Sequence, residues 1–225
     1  MHHALIIILI FSFGTLNAQQ QAEIGATVSA LASRGKLLGG VGRGYAGPPF
    51  FSGNLVVKER VEPGFAFEIF REKGMKARNI SLKTAVGYLT CGNFLHFDYD
   101  YENSVNNIVS IENRFRFITL NSTVKYTIKS KQVRVFAGLG PHLGYLIYAT
   151  ETSRNLVSGS FTESSFNFLS KEKRFNFGPQ YILGARYQSF SLEAFYRSFY
   201  RAPEHDNTRR VVNFGLGLSY IIKGD

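Results

Sequence analysis

The sequence predicts an all-β fold, an eight-stranded antiparallel transmembrane β-barrel with up-and-down meander topology. Three observations predict it. Apolar and polar residues alternate with a period of two in eight successive segments, as they do when side chains project from opposite faces of a strand. The connections between those segments alternate between long and short. The chain opens on a short apolar run of the kind that directs export.

That run extends from Ala4 to Phe13 and is followed by Leu16-Asn17-Ala18, the small-residue form that signal peptidase accepts. It falls short of the roughly 20 residues a membrane-crossing helix needs, and Gln19, Gln20 and Gln21 follow at once. The reading is a cleaved signal peptide over 1–18 and one barrel domain over 19–225, although Met1-His2-His3 lacks the usual Lys or Arg. Composition agrees with a β-rich mature chain. There are 21 Phe, 12 Tyr and 22 Gly but only 6 Pro and no Trp, which suits pleated surfaces and turns better than helices.

The first four strands carry the weaker alternation. They read Ile24, Ala26, Val28, Ala30; then Phe65, Phe67, Ile69; then Ile80, Leu82, Val86, Tyr88; then Ile118, Leu120, Val124, Tyr126. The fifth is unambiguous, with Val133, Val135, Ala137, Leu139, Pro141, Leu143, Tyr145 and Ile147 on one face. Opposite them stand Arg134, Phe136, Gly138, Gly140, His142, Gly144, Leu146 and Tyr148. The sixth sets Phe175, Phe177, Pro179, Tyr181, Leu183, Ala185 and Tyr187 against Arg174, Asn176, Gly178, Gln180, Ile182, Gly184 and Arg186. The seventh and eighth repeat the split, with Phe190, Leu192, Ala194, Tyr196 and with Val212, Phe214, Leu216, Leu218, Tyr220, Ile222.

Long connections are expected at 32–63, 97–113 and 149–173, short ones at 71–78, 127–132 and Gln188-Ser189, and an intermediate one at 201–209. Outer-membrane barrels keep short turns in the periplasm and long loops outside, so the N-terminus is placed in the periplasm. With that orientation Tyr126, Tyr187, Phe190 and Tyr220 form an inner aromatic belt. Tyr88, Tyr145, Phe175, Phe177, Tyr196 and Tyr200 form an outer one.

A soluble barrel of lipocalin type has the same period with its apolar face turned inward. The polar face here is rich in Gly and bears scattered charges of both signs: Glu23, Glu68, Lys83, Lys125, Arg134, Arg186, Glu193 and Arg197. That composition suits a closed interior in which buried charges pair. Cys91, the only cysteine, excludes an intramolecular disulfide and reads as a small apolar residue at a strand end. A formal net charge of +10 calls for anionic neighbours, which for an exported chain are lipid headgroups.

Eight strands enclose a space that side chains just fill, which disfavours an open diffusion pore. Lipid hydrolysis or acyl transfer would need a Ser beside a His with an orienting carboxylate, and no compact spacing of that kind surrounds His142 or His96. No catalytic, cofactor-binding or metal-binding residue is assigned. His96, Asp98 and Asp100 read as a polar loop tip, Gly42–Gly47 as a flexible loop that matches a dinucleotide fingerprint by letters alone, and 171–175 as a basic rim facing lipopolysaccharide phosphates.

Three segments resemble the PorT-type outer-membrane β-barrel family common in Bacteroidetes. Glu62-Pro63-Gly64-Phe65-Ala66 is similar to its second-strand entry, 135–145 to its fifth-strand motif and Phe175-Asn176-Phe177-Gly178 to its sixth. The resemblance spans the mature chain. The terminal Tyr220-Ile221-Ile222 departs from it by continuing into Lys223-Gly224-Asp225 instead of ending on an aromatic. It implies an integral protein of the bacterial outer membrane and, from the family's namesake, a link to protein secretion. The expected function is therefore a non-enzymatic scaffold or adhesion barrel without cofactors. Its expected partners are outer-membrane lipids and lipopolysaccharide, the barrel assembly machinery during insertion and proteins at loops 32–63 and 149–173, with no nucleic acid. A lipid A hydrolase or acyltransferase, and a small-ligand or narrow transport barrel, remain as alternatives.

Overall fold

In the computed structural model, residues 22–38, 55–75, 79–99, 106–130, 132–157, 160–167, 174–200 and 208–222 are described. The segment 1–18, where a signal peptide is expected, and Gly42–Gly47, Asp100, Lys171–Lys173 and Lys223–Asp225 lie outside them. The described residues form ten strands: β1 Glu23–Leu38, β2 Leu55–Arg60, β3 Glu62–Gly74, β4 Ile80–Tyr99, β5 Asn106–Lys129, β6 Val133–Val157, β7 Ser160–Asn167, β8 Phe175–Tyr187, β9 Phe190–Tyr200 and β10 Thr208–Ile222. Eight of them close a ring in the order β1, β3, β4, β5, β6, β8, β9, β10, every neighbour antiparallel. The seam joins the first strand to the last, from Ile24 opposite Ile222 to Leu38 opposite Thr208. These are the eight strands the alternation predicts.

The direction of the apolar face separates a membrane barrel from a soluble one. Val28 is 61 % exposed, Leu139 64 % and Leu183 60 %, while Thr119, Glu68 and Ser219 on the other face are at most 3 % exposed. The greasy surface therefore points outward, the arrangement that hydrocarbon requires and water penalises. Both aromatic belts lie on this surface. Phe190 packs on Tyr220 at 5.3 Å near the termini, whereas Tyr145 meets Phe175 at 5.1 Å and Phe65 meets Tyr88 at 5.9 Å at the other end. The side chain of Tyr200 lies outside the described residues.

The strands run further than the loops expected from sequence allow. β1 reaches Leu38, β2 covers Leu55–Arg60, β4 ends at Tyr99 and β5 begins at Asn106, so nearly half of the stretch 32–63 and most of 97–113 is strand. The stretch 149–173 holds the end of β6 and all of β7, which pair as a hairpin from Thr150 opposite Asn167 to Val157 opposite Ser160. Above the outer belt, β2, β4, β5, β6 and β7 continue as one sheet. From Ile118 to the start of β5 is twelve residues, or about 40 Å along the strand. The turn expected at 71–78 is shorter as well, since β3 runs to Gly74 and β4 starts at Ile80.

Two bulges hid this extension from a strict two-residue reading. Leu146 faces Phe117 and Tyr148 faces Arg116, so two steps of β6 oppose one of β5 and Ile147 is the extra residue. Beyond it the inward parity changes from Leu146 to Ala149, both buried. On the other strand, Arg60 faces Phe94 while Phe65 faces Thr90, five steps against four. The surplus falls at Val61-Glu62-Pro63-Gly64. There Ser33 stands in for a ladder partner, accepting from the Gly92 N–H at 2.9 Å and donating to the Gly92 carbonyl at 2.6 Å.

Close strand approach explains one of the polar-face glycines directly. A Cβ added to Gly140 would lie 1.8 Å from the Ser122 carbonyl oxygen, which is backbone and cannot swing aside. Gly140→Ala is expected to destabilise the barrel by about 1–3 kcal/mol. The check is the urea midpoint for loss of the heat-modifiable, fast-migrating band in unboiled gels; an unchanged midpoint would show that the two strands are not so tightly apposed.

Candidate functional site

The lumen is where a small barrel would carry a pore, a ligand or a catalytic group, and alternation supplies its side chains from every strand. From the end that carries the chain termini upward, four ion pairs among the described residues fill it. Arg186 grips Glu23 with two bonds of 2.5 and 2.9 Å, and Lys125 binds Glu72 at 2.7 Å. Lys83 donates to both oxygens of Glu193 at 2.7 and 2.9 Å. Arg197 and Glu68 meet at 2.8 Å with both side chains under 5 % exposed.

Neutral partners satisfy much of what remains. Ser81 donates to Glu72 at 2.6 Å, Asn121 to Glu68 at 2.5 Å and Gln180 to Thr123 at 2.6 Å. Three of the cations also lie over inward aromatic rings: Lys83 over Phe70, Lys125 over Phe136 and Arg197 over Phe195, at 4.4, 3.9 and 4.4 Å. The cavity among Glu68, Lys83, Gln180, Glu193 and Arg197 measures about 10 Å³, space for one water at most.

Above this polar stack sits an apolar layer that the sequence reading did not foresee. Leu31, Leu89, Cys91, Phe115, Phe117, Leu146, Ala149 and Phe199 belong to one buried cluster that also takes in Phe136, Ile182 and Phe195 among the ion pairs. Phe199 joins the two layers, stacking on Phe117 at 4.7 Å and on His142 at 4.5 Å. Gly144 leaves the space its ring occupies. Higher still, Leu95 and Ile111 remain buried on the inward face of the projecting sheet.

Most of the charges expected inside are found there, paired. Arg134 is the exception: it is exposed at the periplasmic rim, beside Lys129 and Arg186 in register. Glu72 falls within the turn expected at 71–78, yet the step of two through Ala66, Glu68 and Phe70 continues to it and places it on the inward face, bonded to Lys125. His142 is inside as expected and fully buried, bonded through Nδ1 to Asn121, and thus walled off from the lipid around the barrel. Cys91 does not end a strand but lies in the middle of β4, within the apolar layer. His96 pairs in register with Ser110 on the sheet above the membrane, while Asp100 and the side chain of Asp98 lie outside the described residues.

An outward apolar band with two aromatic belts, a closed ring of antiparallel strands and a packed lumen together define an integral outer-membrane β-barrel. No protein-family model and no curated protein sequence matches the chain. Among solved structures it is similar to the attachment invasion locus protein Ail of Yersinia pestis, at 14 % identity over 90 % of this chain and 99 % of that one, TM-score 0.39. It is also similar to Neisserial surface protein A, at 15 % over 88 % and 97 %, TM-score 0.41. The outer membrane protein OprG of Pseudomonas aeruginosa matches at 12 % over 91 % and 98 %, TM-score 0.40.

Removing one member of a buried pair leaves the other uncompensated. Arg197→Ala is expected to cost about 3–5 kcal/mol of stability, whereas Glu68→Gln combined with Arg197→Met should recover a good part of the loss. Equilibrium urea unfolding in detergent micelles distinguishes the two; equal destabilisation by both variants would mean the pair is not energetically coupled.

Proposed function

We propose that the chain is a non-enzymatic outer-membrane barrel that presents an extracellular sheet to protein partners and is closed to solutes. The observation that carries this reading is the division of the molecule at the outer belt. Below it the lumen is blocked by ion pairs and aromatic rings; above it β2, β4, β5, β6 and β7 extend the wall into the medium. The β6–β7 hairpin is open to solvent: successive side chains from Ser160 to Ser165 are exposed on both faces. It lies within 149–173, where protein contacts are expected from sequence. The PorT-type resemblance supports protein secretion as the process such contacts serve.

Purified protein in planar bilayers should show no stepwise conductance, and discrete openings would sink the closed-lumen reading. Thr150 and Asn167 are Cα partners, so the hairpin tip can be replaced by an Asn-Gly turn joining them. The shortened protein should keep its heat-modifiable migration and lose the crosslinks that the intact chain forms at the cell surface. Retention of the same crosslinked species would remove the hairpin from the interaction surface.

A further inference from the structure

The outer wall of β5 changes character within one residue step of its face. Tyr126, Val124 and Ile118 stand outward in the apolar band, and the next two outward residues are Arg116 and Arg114, both exposed. Ten residues separate Tyr126, in the inner belt, from Arg116. At about 3.4 Å per residue and a strand tilt near 40°, that is a rise of about 26 Å. The apolar band of such barrels is about 25 Å tall. Arg116 therefore lies at the headgroup level of the outer leaflet.

Its surroundings hold it there. Tyr148, opposite Arg116 on β6, lies beneath the guanidinium at 4.4 Å, leaving the in-plane N–H donors directed away from the ring face. Arg114 is 73 % exposed and bonded through Nε to Glu112 at 2.5 Å. On the far side of β6, Arg174 donates to the Tyr145 hydroxyl at 3.2 Å, and its carbonyl accepts from Leu146 N–H at 2.7 Å. Two strand spacings, about 10 Å, separate Arg116 from Arg174. Arg114 and Arg116 thus stand on the outward face of β5, and Arg174, which shares the parity of inward Asn176 but is exposed at the rim, turns its guanidinium to the Tyr145 hydroxyl above the belt. Among the described residues Glu112 is bonded to Arg114, and Glu62 lies within electrostatic reach of it.

We propose that Arg114, Arg116 and Arg174 form a binding site on the outer wall for the phosphate groups of an outer-leaflet glycolipid of the lipid A type. Guanidinium forks bind phosphate oxygens through paired charge-assisted hydrogen bonds. The aromatic belt below packs against the acyl chains at the same interface, so the site takes a phosphate carried on a lipid rather than one free in solution. Arg154 and Glu163, higher on the same sheet, pair with each other at 3.6 Å and are not part of it.

The test is native mass spectrometry of the detergent-solubilised, full-length mature barrel titrated with bisphosphorylated lipid A. Phosphatidylethanolamine and inorganic phosphate serve as comparison probes. The wild type should retain lipid A, and the combined Arg114→Gln, Arg116→Gln, Arg174→Gln variant should retain about tenfold less or lower. Arg134→Gln, at the opposite rim, should bind as the wild type does. Equal retention by the triple variant, or an equal loss in Arg134→Gln, would overturn the proposal. So would displacement of lipid A by millimolar inorganic phosphate. If the triple variant does not show heat-modifiable migration, Arg116→Gln alone carries the test, with a several-fold loss expected and an unchanged affinity overturning it.

Discussion

The seam between β1 and β10 is the constraint on which everything else depends. A sheet in hydrocarbon has no water to satisfy its edge N–H and C=O groups, so an open edge costs several kcal/mol per unpaired group. The register from Ile24–Ile222 to Leu38–Thr208 removes both edges at once. Closing the ring commits one face of every strand to lipid and the other to a space about two side chains across. The outward Leu, Val, Ile and aromatic residues, and the Gly-lightened inward face, are consequences of that closure.

A closed lumen then imposes its own rule on charge. Buried ions are tolerated when paired and bonded, and the inward face holds Glu23, Glu68, Glu72 and Glu193 against Lys83, Lys125, Arg186 and Arg197. Partners come from strands far apart in sequence, such as β4 with β9 for Lys83 and Glu193. These pairs thus depend on the closed ring, and also fill it. Little room is left between them: the cavity among Glu68, Lys83, Gln180, Glu193 and Arg197 admits about one water.

The architecture was legible because its signal is repeated. Eight segments each show the same period, and a one-residue error would turn a whole face over, as the uninterrupted apolar set from Val133 to Tyr145 illustrates. What was hidden was hidden by interruptions. Ile147 shifts the parity of β6, so the strand looked finished where it had only bulged, and Pro63-Gly64 produced the same effect between β2 and β3. Glu72 was hidden by proximity to a turn. The apolar layer was invisible for another reason. Phe115, Phe117 and Phe199 are inward aromatics whose neighbours are set by register between strands, and a single strand's sequence does not contain that register. Cys91 looked terminal for the same reason.

Charge neutrality inside the barrel also determines what its exterior must do. Among the described residues four acids cancel four bases in the lumen, which leaves the formal excess of +10 to the rest of the chain. Low dielectric forbids that excess in the apolar band, where the outward face of β5 carries none between Tyr126 and Ile118. It must collect above and below the band, where anionic lipid headgroups are the nearest counterions. Arg116 over Tyr148 and Arg174 beside Tyr145 are the positions where that general requirement becomes local. There a cation is ordered by a ring that belongs to the membrane-spanning wall, so the barrel's depth in the bilayer and its affinity for phosphate are set by the same residues.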